Sequence, residues 1–193
     1  TVCRVSLTGK GIHSSEAPKG LNAIYLATDV IQSIRKKQAD IIKQSFRESD
    51  YDIPYTTIHV GSIEGGTALN IVPNHSSLIF EIRNSPEDNP DDLLEGLKVN
   101  SKDTLSKMQK EFPEADAKFE IINNYPSLDT SNSSEVVSFV GSLIETNDII
   151  KVAFGTEGGL FNQLGIPTVV CGPGSMSQGH QADEFISVKE LKK

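Results

Sequence analysis

The sequence has few cysteines, a shortage of positive charge and no long apolar run. Its 193 residues include two cysteines. Cys3 and Cys171 lie far apart, each in an apolar, strand-like segment, which excludes a disulfide framework and a Cys-X-X-Cys metal or redox pair. Both are expected to be buried free thiols, as in proteins of a reducing compartment.

Positive charge is scarce, because 18 Lys and Arg residues face 26 Asp and Glu residues, for a net charge of −8. Phosphate binding needs clustered Lys and Arg, and the short basic run at residues 35–37 is typical of a solvated helix face. Nucleic acid is therefore not an expected partner. No apolar run approaches the roughly 18 residues of a membrane span, and no secretory signal is recognisable. The sequence predicts a cytoplasmic protein with no membrane partner.

Apolar periodicity divides the first part of the chain into strands and helices. Strands are predicted over residues 2–7, 56–62, 68–72, 77–83 and 118–122, and helices over residues 22–45 and 93–112. Antiparallel strands on one face of two helices, in this order, predict an α+β, ferredoxin-like βαββαβ domain. We assign residues 1–122 to this domain.

Residues 123–193 follow another pattern. Helices are predicted over 134–145 and 160–164, strands over 149–154 and 167–171, and a last helix from Ser187. Apolar strands that alternate with helices predict a parallel α/β sheet. A sheet with so few elements would have two open outer edges. Residues 123–193 are therefore interpreted as the closing segment of a larger α/β domain, in a chain cut on its N-terminal side.

Two histidines in glycine-rich turns are candidate functional residues, because the backbone can approach a ligand closely at such turns. His180 follows a predicted parallel strand at the end where α/β sheets place their ligands, and Asp183 or Glu184 could orient its ring. The residues alone leave open whether His180 is a metal or catalytic residue or an ordinary surface histidine. For His13, too, two interpretations remain: a functional residue, or an ordinary loop or capping residue.

Four other side chains have both a functional and a structural interpretation. Thr156 and Glu157 offer a hydroxyl and a carboxylate between glycines, although a helix-capping Thr with Glu in the first turn is equally compatible. Arg83 could bind a carboxylate or form a salt bridge on the sheet. Asn70 lies in a predicted apolar strand, where a buried amide would require hydrogen-bonding partners.

Five segments together resemble a known enzyme family. They are residues 8–24, which include Gly9-Lys10-Gly11-Ile12-His13, and residues 65–73, 80–83, 155–161 and 171–185. In this order they resemble the di-zinc hydrolases that include aminoacylase, acetylornithine deacetylase and succinyl-diaminopimelate desuccinylase. The Gly-Thr-Glu turn and the Gly-Pro-Gly loop most resemble the acetylornithine deacetylase branch, since the desuccinylase branch usually has Ser-Asp at that turn.

The resemblance implies roles for both parts of the chain. Residues 1–122 would be a lid domain that also forms a homodimer, and residues 123–193 would close the catalytic domain. His13 would stabilise the oxyanion of the tetrahedral intermediate in the partner subunit's active site. The residues that would bind the substrate, a small N-acyl amino acid, are Asn70, Arg83, Thr156, Glu157 and Gly172.

The resemblance also implies two zinc ions per active site, with cobalt able to substitute. Only the last metal ligand of the family is matched here, by His180, so the chain alone is expected to bind little or no metal and to be inactive. The intact enzyme is expected to hydrolyse N2-acetyl-L-ornithine to L-ornithine and acetate, a step of arginine biosynthesis. Two alternatives remain: another N-acyl amino acid or peptide as substrate, such as succinyl-diaminopimelate, or a non-catalytic dimerisation module.

Overall fold

The chain folds into two units. A computed structural model describes residues 1–44, 51, 53–151, 155–175, 178–179 and 181–192. One unit contains Thr1–Tyr125, and the other contains Pro126–Lys151 and the chain from Gly155 onward. None of the described helices combines the length and the apolar character needed to cross a bilayer.

The first unit is a four-stranded antiparallel sheet with two long helices. Its elements are β1 (Val2–Thr8), a 3-10 helix (Ser14–Lys19), α1 (Ala23–Gln44), β2 (Thr57–Gly65), β3 (His75–Arg83), α2 (Pro90–Met108) and β4 (Asp116–Asn123). The strand order is β2-β3-β1-β4, and all neighbouring strands are antiparallel. The predicted ferredoxin-like fold is therefore confirmed. Ser45, the end of the predicted first helix, lies outside the described residues.

Strand β1 forms the middle of the core. Cys3, Val5 and Leu7 are almost fully buried and alternate with less buried residues, because every second side chain of a strand points to the same face. Burial raises the pKa of the Cys3 thiol. The helices cover this face with Leu26, Ala27, Val30 and Ile34 of α1 and with Leu94, Leu97 and Leu105 of α2.

Both long helices begin at an asparagine side chain. The Oδ1 atom of Asn22 accepts a hydrogen bond from the Ile24 N–H at 2.9 Å, and that of Asn89 accepts one from the Asp91 N–H, also at 2.9 Å. Pro90 then occupies the first turn of α2, where a missing N–H costs no helical hydrogen bond. Helix α2 thus begins at Pro90, before the predicted start at residue 93, and it includes the acidic pair Asp91 and Asp92.

The first unit starts and finishes at one corner of the sheet. Val2 pairs with Asn123 in the antiparallel β1–β4 ladder. Next to this pair, the Thr1 hydroxyl donates to Oδ1 of Asn124 at 2.7 Å. Residues 1 and 124 therefore lie side by side although the whole unit separates them in sequence.

The strand predicted over residues 68–72 is not formed. Strands β2 and β3 pair as far as Gly65 and Ser76, so the residues between them form a hairpin loop with no sheet neighbour along their length. Leu69 is fully exposed, and Ile71 makes only an isolated bridge to His13. The short apolar alternation in this loop reflects a contact with another loop instead of a place in the sheet.

The second unit has helices but no strand among its described residues. Its elements are α3 (Glu135–Leu143), α4 (Gly158–Gln163) and a 3-10 turn (Glu190–Lys192). The two predicted internal helices are present, whereas the last helix is reduced to that turn, where the Ser187 hydroxyl accepts from the Glu190 N–H at 3.2 Å. Residues 149–151 and 167–171 are not strands, contrary to prediction, and residues 152–154 lie outside the described residues.

Large apolar side chains of the second unit face solvent. Seven of them are 62–76% exposed: Phe139, Leu143, Ile150, Leu164, Phe185, Val188 and Leu191. Within the described chain, every buried hydrophobic side chain belongs to the first unit. Cys171, predicted to be buried, is exposed, because the described residues place no sheet neighbour beside its segment to cover it.

A buried threonine provides a test of the contact between the residue before β2 and the loop that joins β3 to α2. Thr56 is fully buried, and its hydroxyl donates to Oδ2 of Asp88 at 2.5 Å and accepts from the Ser85 N–H at 2.9 Å. Thr56→Val keeps the side-chain shape but removes both bonds, so we expect the free energy of unfolding to fall by about 1–3 kcal/mol. Urea unfolding monitored by circular dichroism measures the change.

The matched control is Thr28→Val on the exposed surface of α1. Its hydroxyl bonds only to the Ile24 C=O of the preceding helical turn, at 3.1 Å. We expect a change within about 0.5 kcal/mol. Equal losses in both variants would show that the buried hydroxyl has no special importance.

Candidate functional site

The segment that carries His13 is tied to the loop between β2 and β3 by backbone hydrogen bonds. Three bonds of 2.8–2.9 Å run from the Gly9 N–H to the Asn74 C=O, from the Val72 N–H to the Ile12 C=O and from the Ser14 N–H to the Asn70 C=O. Two loops that are distant in sequence therefore form one surface. Main-chain bonds of this kind limit the freedom of His13 relative to Asn70.

Glycines allow the close packing at the base of this surface. A Cβ atom added at Gly9 would lie 2.1 Å from the Leu21 carbonyl oxygen, and one added at Gly20 would lie 2.8 Å from that of Lys10. Lys10 and Leu21 exchange two backbone hydrogen bonds of 2.8 and 3.0 Å. Any larger residue at either glycine would force the backbone apart, so the loop that carries His13 depends on both.

His13 is exposed and precedes the 3-10 helix. Its Nδ1 atom accepts a hydrogen bond from the Ser15 N–H at 3.2 Å and lies 2.8 Å from the Ser15 hydroxyl oxygen. This is the capping interaction that the sequence left open as an alternative. It uses one ring nitrogen only, and within the described chain no residue bonds to Nε2. His13 is thus a capping residue that still presents a ring nitrogen to a ligand.

Asn70 lies beside His13 but not in the predicted strand. It occupies an exposed turn, so its amide is not the buried group that the sequence suggested. Its backbone carbonyl accepts from the Ser14 N–H at 2.9 Å. The structure thus brings Asn70 and His13 together through main-chain atoms and leaves the Asn70 side chain accessible.

Arg83 lies at the opposite end of β3. Its Nε donates to Oε1 of Glu81 at 2.6 Å, which is the salt bridge on the sheet that the sequence left open. Strand β3 begins at His75, next to the His13 loop, and its eight residue steps to Arg83 correspond to about 26 Å. Within one chain, therefore, the structure does not bring Arg83 to His13 and Asn70.

In the second unit, Thr156 forms the contact expected of a helix-capping threonine. Its hydroxyl accepts from the Gly158 N–H at 3.3 Å, at the start of α4, and the side chain is half-buried. Glu157 is exposed and makes no side-chain capping bond. A Cβ atom at Gly159 would lie 2.1 Å from the Pro126 carbonyl oxygen, so this turn packs tightly against the start of the unit.

Of the two remaining predicted site residues, Gly172 lies in the described part of the chain. Gly172 is exposed, with open space where a side chain would lie. His180 lies outside the described residues. Among the described residues, no three His, Cys, Asp or Glu side chains come together in a group that could hold a metal ion. The described part of the chain therefore does not fit a metal ion by itself.

Ser15 is a residue whose importance the sequence analysis missed. The signal was present, because a Ser two positions after a loop histidine, before a helical turn, is well placed to bond back to it. Gly9 was predicted to lie in a turn, whereas Gly20 was not singled out, and the contacts of the two glycines with Leu21 and Lys10 depend on three-dimensional packing.

The comparisons with known proteins identify the family. The model of the M20 peptidase dimerisation domain matches residues 2–109. The chain belongs to this peptidase dimerisation domain family. The matched region covers strands β1, β2 and β3 and both long helices of the first unit, and it ends before β4.

Curated relatives of the chain include acetylornithine deacetylases. The chain is 34% identical over 186 residues to that of Pasteurella multocida, which covers 95% of this chain and 46% of the relative. It is 28% identical over 190 residues to that of Myxococcus xanthus, covering 98% and 48%. The resemblance to acetylornithine deacetylases is confirmed, and the chain spans about half the length of these curated relatives.

Solved structures of two peptidases share the fold. An aminopeptidase PepT from Bacillus cereus matches with a TM-score of 0.67 and 24% identity, over 99% of this chain and 48% of that one. A tripeptidase from Staphylococcus aureus matches with a TM-score of 0.57 and 21% identity, over 86% and 41%. At these identities the likeness concerns the fold.

Gly9→Ala tests the close backbone contact beneath His13. The added methyl would meet the Leu21 carbonyl at 2.1 Å, so the loop must shift. We expect a loss of about 1–3 kcal/mol in the free energy of unfolding, measured by urea titration.

Gly96→Ala is the matched control for this variant. It lies within α2 with no atom within 4 Å of an added Cβ. Because alanine loses less backbone entropy on folding than glycine, we expect it to stabilise by about 0.5–1 kcal/mol. Opposite signs for the two variants would locate the effect in the contact, whereas a stable Gly9→Ala would contradict the tight packing.

Proposed function

We propose that the chain is part of an amidohydrolase that, when intact, converts N2-acetyl-L-ornithine and water to L-ornithine and acetate. The observation that carries this proposal is the 34% identity to an acetylornithine deacetylase over 95% of the chain. Because the matched region is about half of each relative, catalysis would also require the protein segments that this chain lacks.

In this proposal His13 stabilises the transition state. Addition of water to the acetamide carbonyl places negative charge on the carbonyl oxygen before the C–N bond breaks. A donor already held in position stabilises that charge without reorganisation. The backbone bonds between the His13 loop and residues 70–74 would provide such positioning, and Asn70 would contact the amino-acid portion of the same substrate.

The active site would be shared between two subunits. Arg83 suits the substrate carboxylate, but about 26 Å of β3 separates it from the His13 end, which is longer than one acetylornithine molecule. Each active site would therefore take Arg83 from one chain and His13 with Asn70 from its partner. Homodimer formation through the first unit, as the name of the matched family suggests, would supply this arrangement.

The proposed intact enzyme would require metal ions for catalysis. Zinc, replaceable by cobalt, would polarise the acetamide carbonyl and acidify water when bound. His180 would supply one ligand and residues outside this chain the others. Thr156, Glu157 and Gly172 would line the site from the second unit, and a cytoplasmic location would suit an amino-acid biosynthetic enzyme.

A non-catalytic dimerisation module is the second candidate. It is favoured by the family match to a dimerisation domain. The two candidates differ in what a longer product of the same reading frame would do.

Activity measurements distinguish these candidates. We expect N-acetylornithine deacetylation, with zinc or cobalt added, in a longer product of the reading frame and not in the 193-residue chain. His13→Ala in the longer protein should reduce kcat by about 10²–10³-fold, the usual cost of removing one oxyanion donor, whereas Thr28→Val should not. Activity in the short chain would overturn the proposal, and a longer protein inactive on every N-acyl amino acid would favour the dimerisation module.

Subunit complementation tests the shared site. In the longer protein, His13→Ala and Arg83→Ala should each inactivate the homodimer. Differently tagged copies of the two variants, expressed together and purified through both tags, should regain about half of the wild-type activity, because one of the two sites then has both residues intact. If Arg83 and His13 of one chain served the same site, the mixed dimer would remain inactive.

A further inference from the structure

We propose that Ser15 is a positioning residue that holds His13 in the Nε2–H tautomer. The histidine Nδ1 atom lies 3.2 Å from the Ser15 backbone nitrogen and 2.8 Å from the Ser15 hydroxyl oxygen. A backbone N–H can only donate. Its partner Nδ1 must therefore be an acceptor, and the neutral ring carries its proton on Nε2.

The hydroxyl of Ser15 reinforces this assignment. A serine hydroxyl can donate or accept, but the adjacent N–H already requires Nδ1 to accept, so the hydroxyl donates as well. The ring is then held from two atoms of one residue. Ser14 offers no alternative contact, because within the described residues its side chain makes no hydrogen bond.

The backbone around Ser15 is itself fixed. The His13 carbonyl accepts from the Glu16 N–H and the Ser14 N–H donates to the Asn70 carbonyl, both at 2.9 Å. These bonds hold the two residues on either side of the ring contact. The direction of the Nε2–H bond therefore follows from the loop and not from a freely rotating side chain.

The tautomer decides which chemistry His13 can perform. With the proton on Nε2, the exposed nitrogen is a hydrogen-bond donor, as an oxyanion requires. With the proton on Nδ1, it would present a lone pair and act as a base or repel the oxyanion. The catalytic consequence rests on the proposed function, whereas the tautomer itself does not.

Substitutions at Ser15 separate donor from acceptor. Ser15→Thr keeps a hydroxyl donor. Ser15→Ala keeps only the backbone N–H. Ser15→Asp places a carboxylate acceptor beside Nδ1 in competition with the backbone N–H, and it should draw the proton to Nδ1, because a hydrogen bond to a charged carboxylate is stronger than one from a neutral N–H. Ser14→Ala is the control one residue away.

The experiment uses the 193-residue chain labelled with 15N-histidine, and long-range 1H–15N correlation above about pH 8, where an imidazole is neutral. The chain has four histidines, so His13→Asn assigns the signal. We expect the Nε2–H form to exceed the Nδ1–H form by about tenfold in the wild type, Ser14→Ala and Ser15→Thr. Ser15→Ala should lower this ratio, and Ser15→Asp should reverse it. A wild-type ring protonated on Nδ1, or a Ser15→Asp ring indistinguishable from the wild type, would overturn the proposal.

Kinetics of the longer protein test the catalytic consequence separately. Ser15→Asp should lower kcat on the order of 10²-fold with little change in KM, because it removes the Nε2–H donor whose hydrogen bond to the oxyanion forms only in the transition state. Ser15→Thr should retain activity. If the tautomer reverses in Ser15→Asp while kcat stays unchanged, the positioning role of Ser15 stands and the oxyanion role of His13 is wrong.

Discussion

The close approach of Gly9 to the backbone of Leu21 and Ala23 is the contact on which the candidate site depends. At this point β1 leaves the sheet, α1 begins and the loop between β2 and β3 arrives. The Ala23 N–H donates to the Pro73 C=O at 2.8 Å, and the buried Ser76 hydroxyl donates to the Ala23 C=O at 2.7 Å. The end of β1, the start of α1 and the loop between β2 and β3 thus meet in one junction of hydrogen bonds, and the loop that carries His13 begins there.

The fold of the first unit could be predicted because its core lies on a single face of the sheet. In β1 the alternation of Cys3, Val5 and Leu7 identifies the buried face, and in α1 the helical spacing of apolar residues does so. Periodicity failed for residues 68–72 because a loop bonded to another loop can carry alternating apolar residues without a strand. It also failed for residues 167–171, since a strand exists only beside a neighbour, and sequence pattern does not say whether the neighbour is present.

The candidate site was predictable in residue type but not in arrangement. His13 and Asn70 are brought together by a main-chain bond between Ser14 and Asn70, and main-chain bonds leave no trace in side-chain identity. Arg83 has the chemistry to bind a carboxylate, yet the register of β3 against β1 places it at the far end of the sheet. Ser15 was overlooked although its spacing from His13 allows a bond back to the ring, because the spacing alone does not show that the loop brings the two side chains within 2.8 Å.

The shared corner at Thr1 and Asn124 has a mechanical consequence. In an antiparallel pair the hydrogen bonds run perpendicular to the strands. A pulling force applied at these two residues would therefore break the β1–β4 hydrogen bonds one after another, starting from the Val2–Asn123 pair. Under such a force the hydrogen bonds at that corner would break first. The junction beneath His13, at the other end of β1, would separate last.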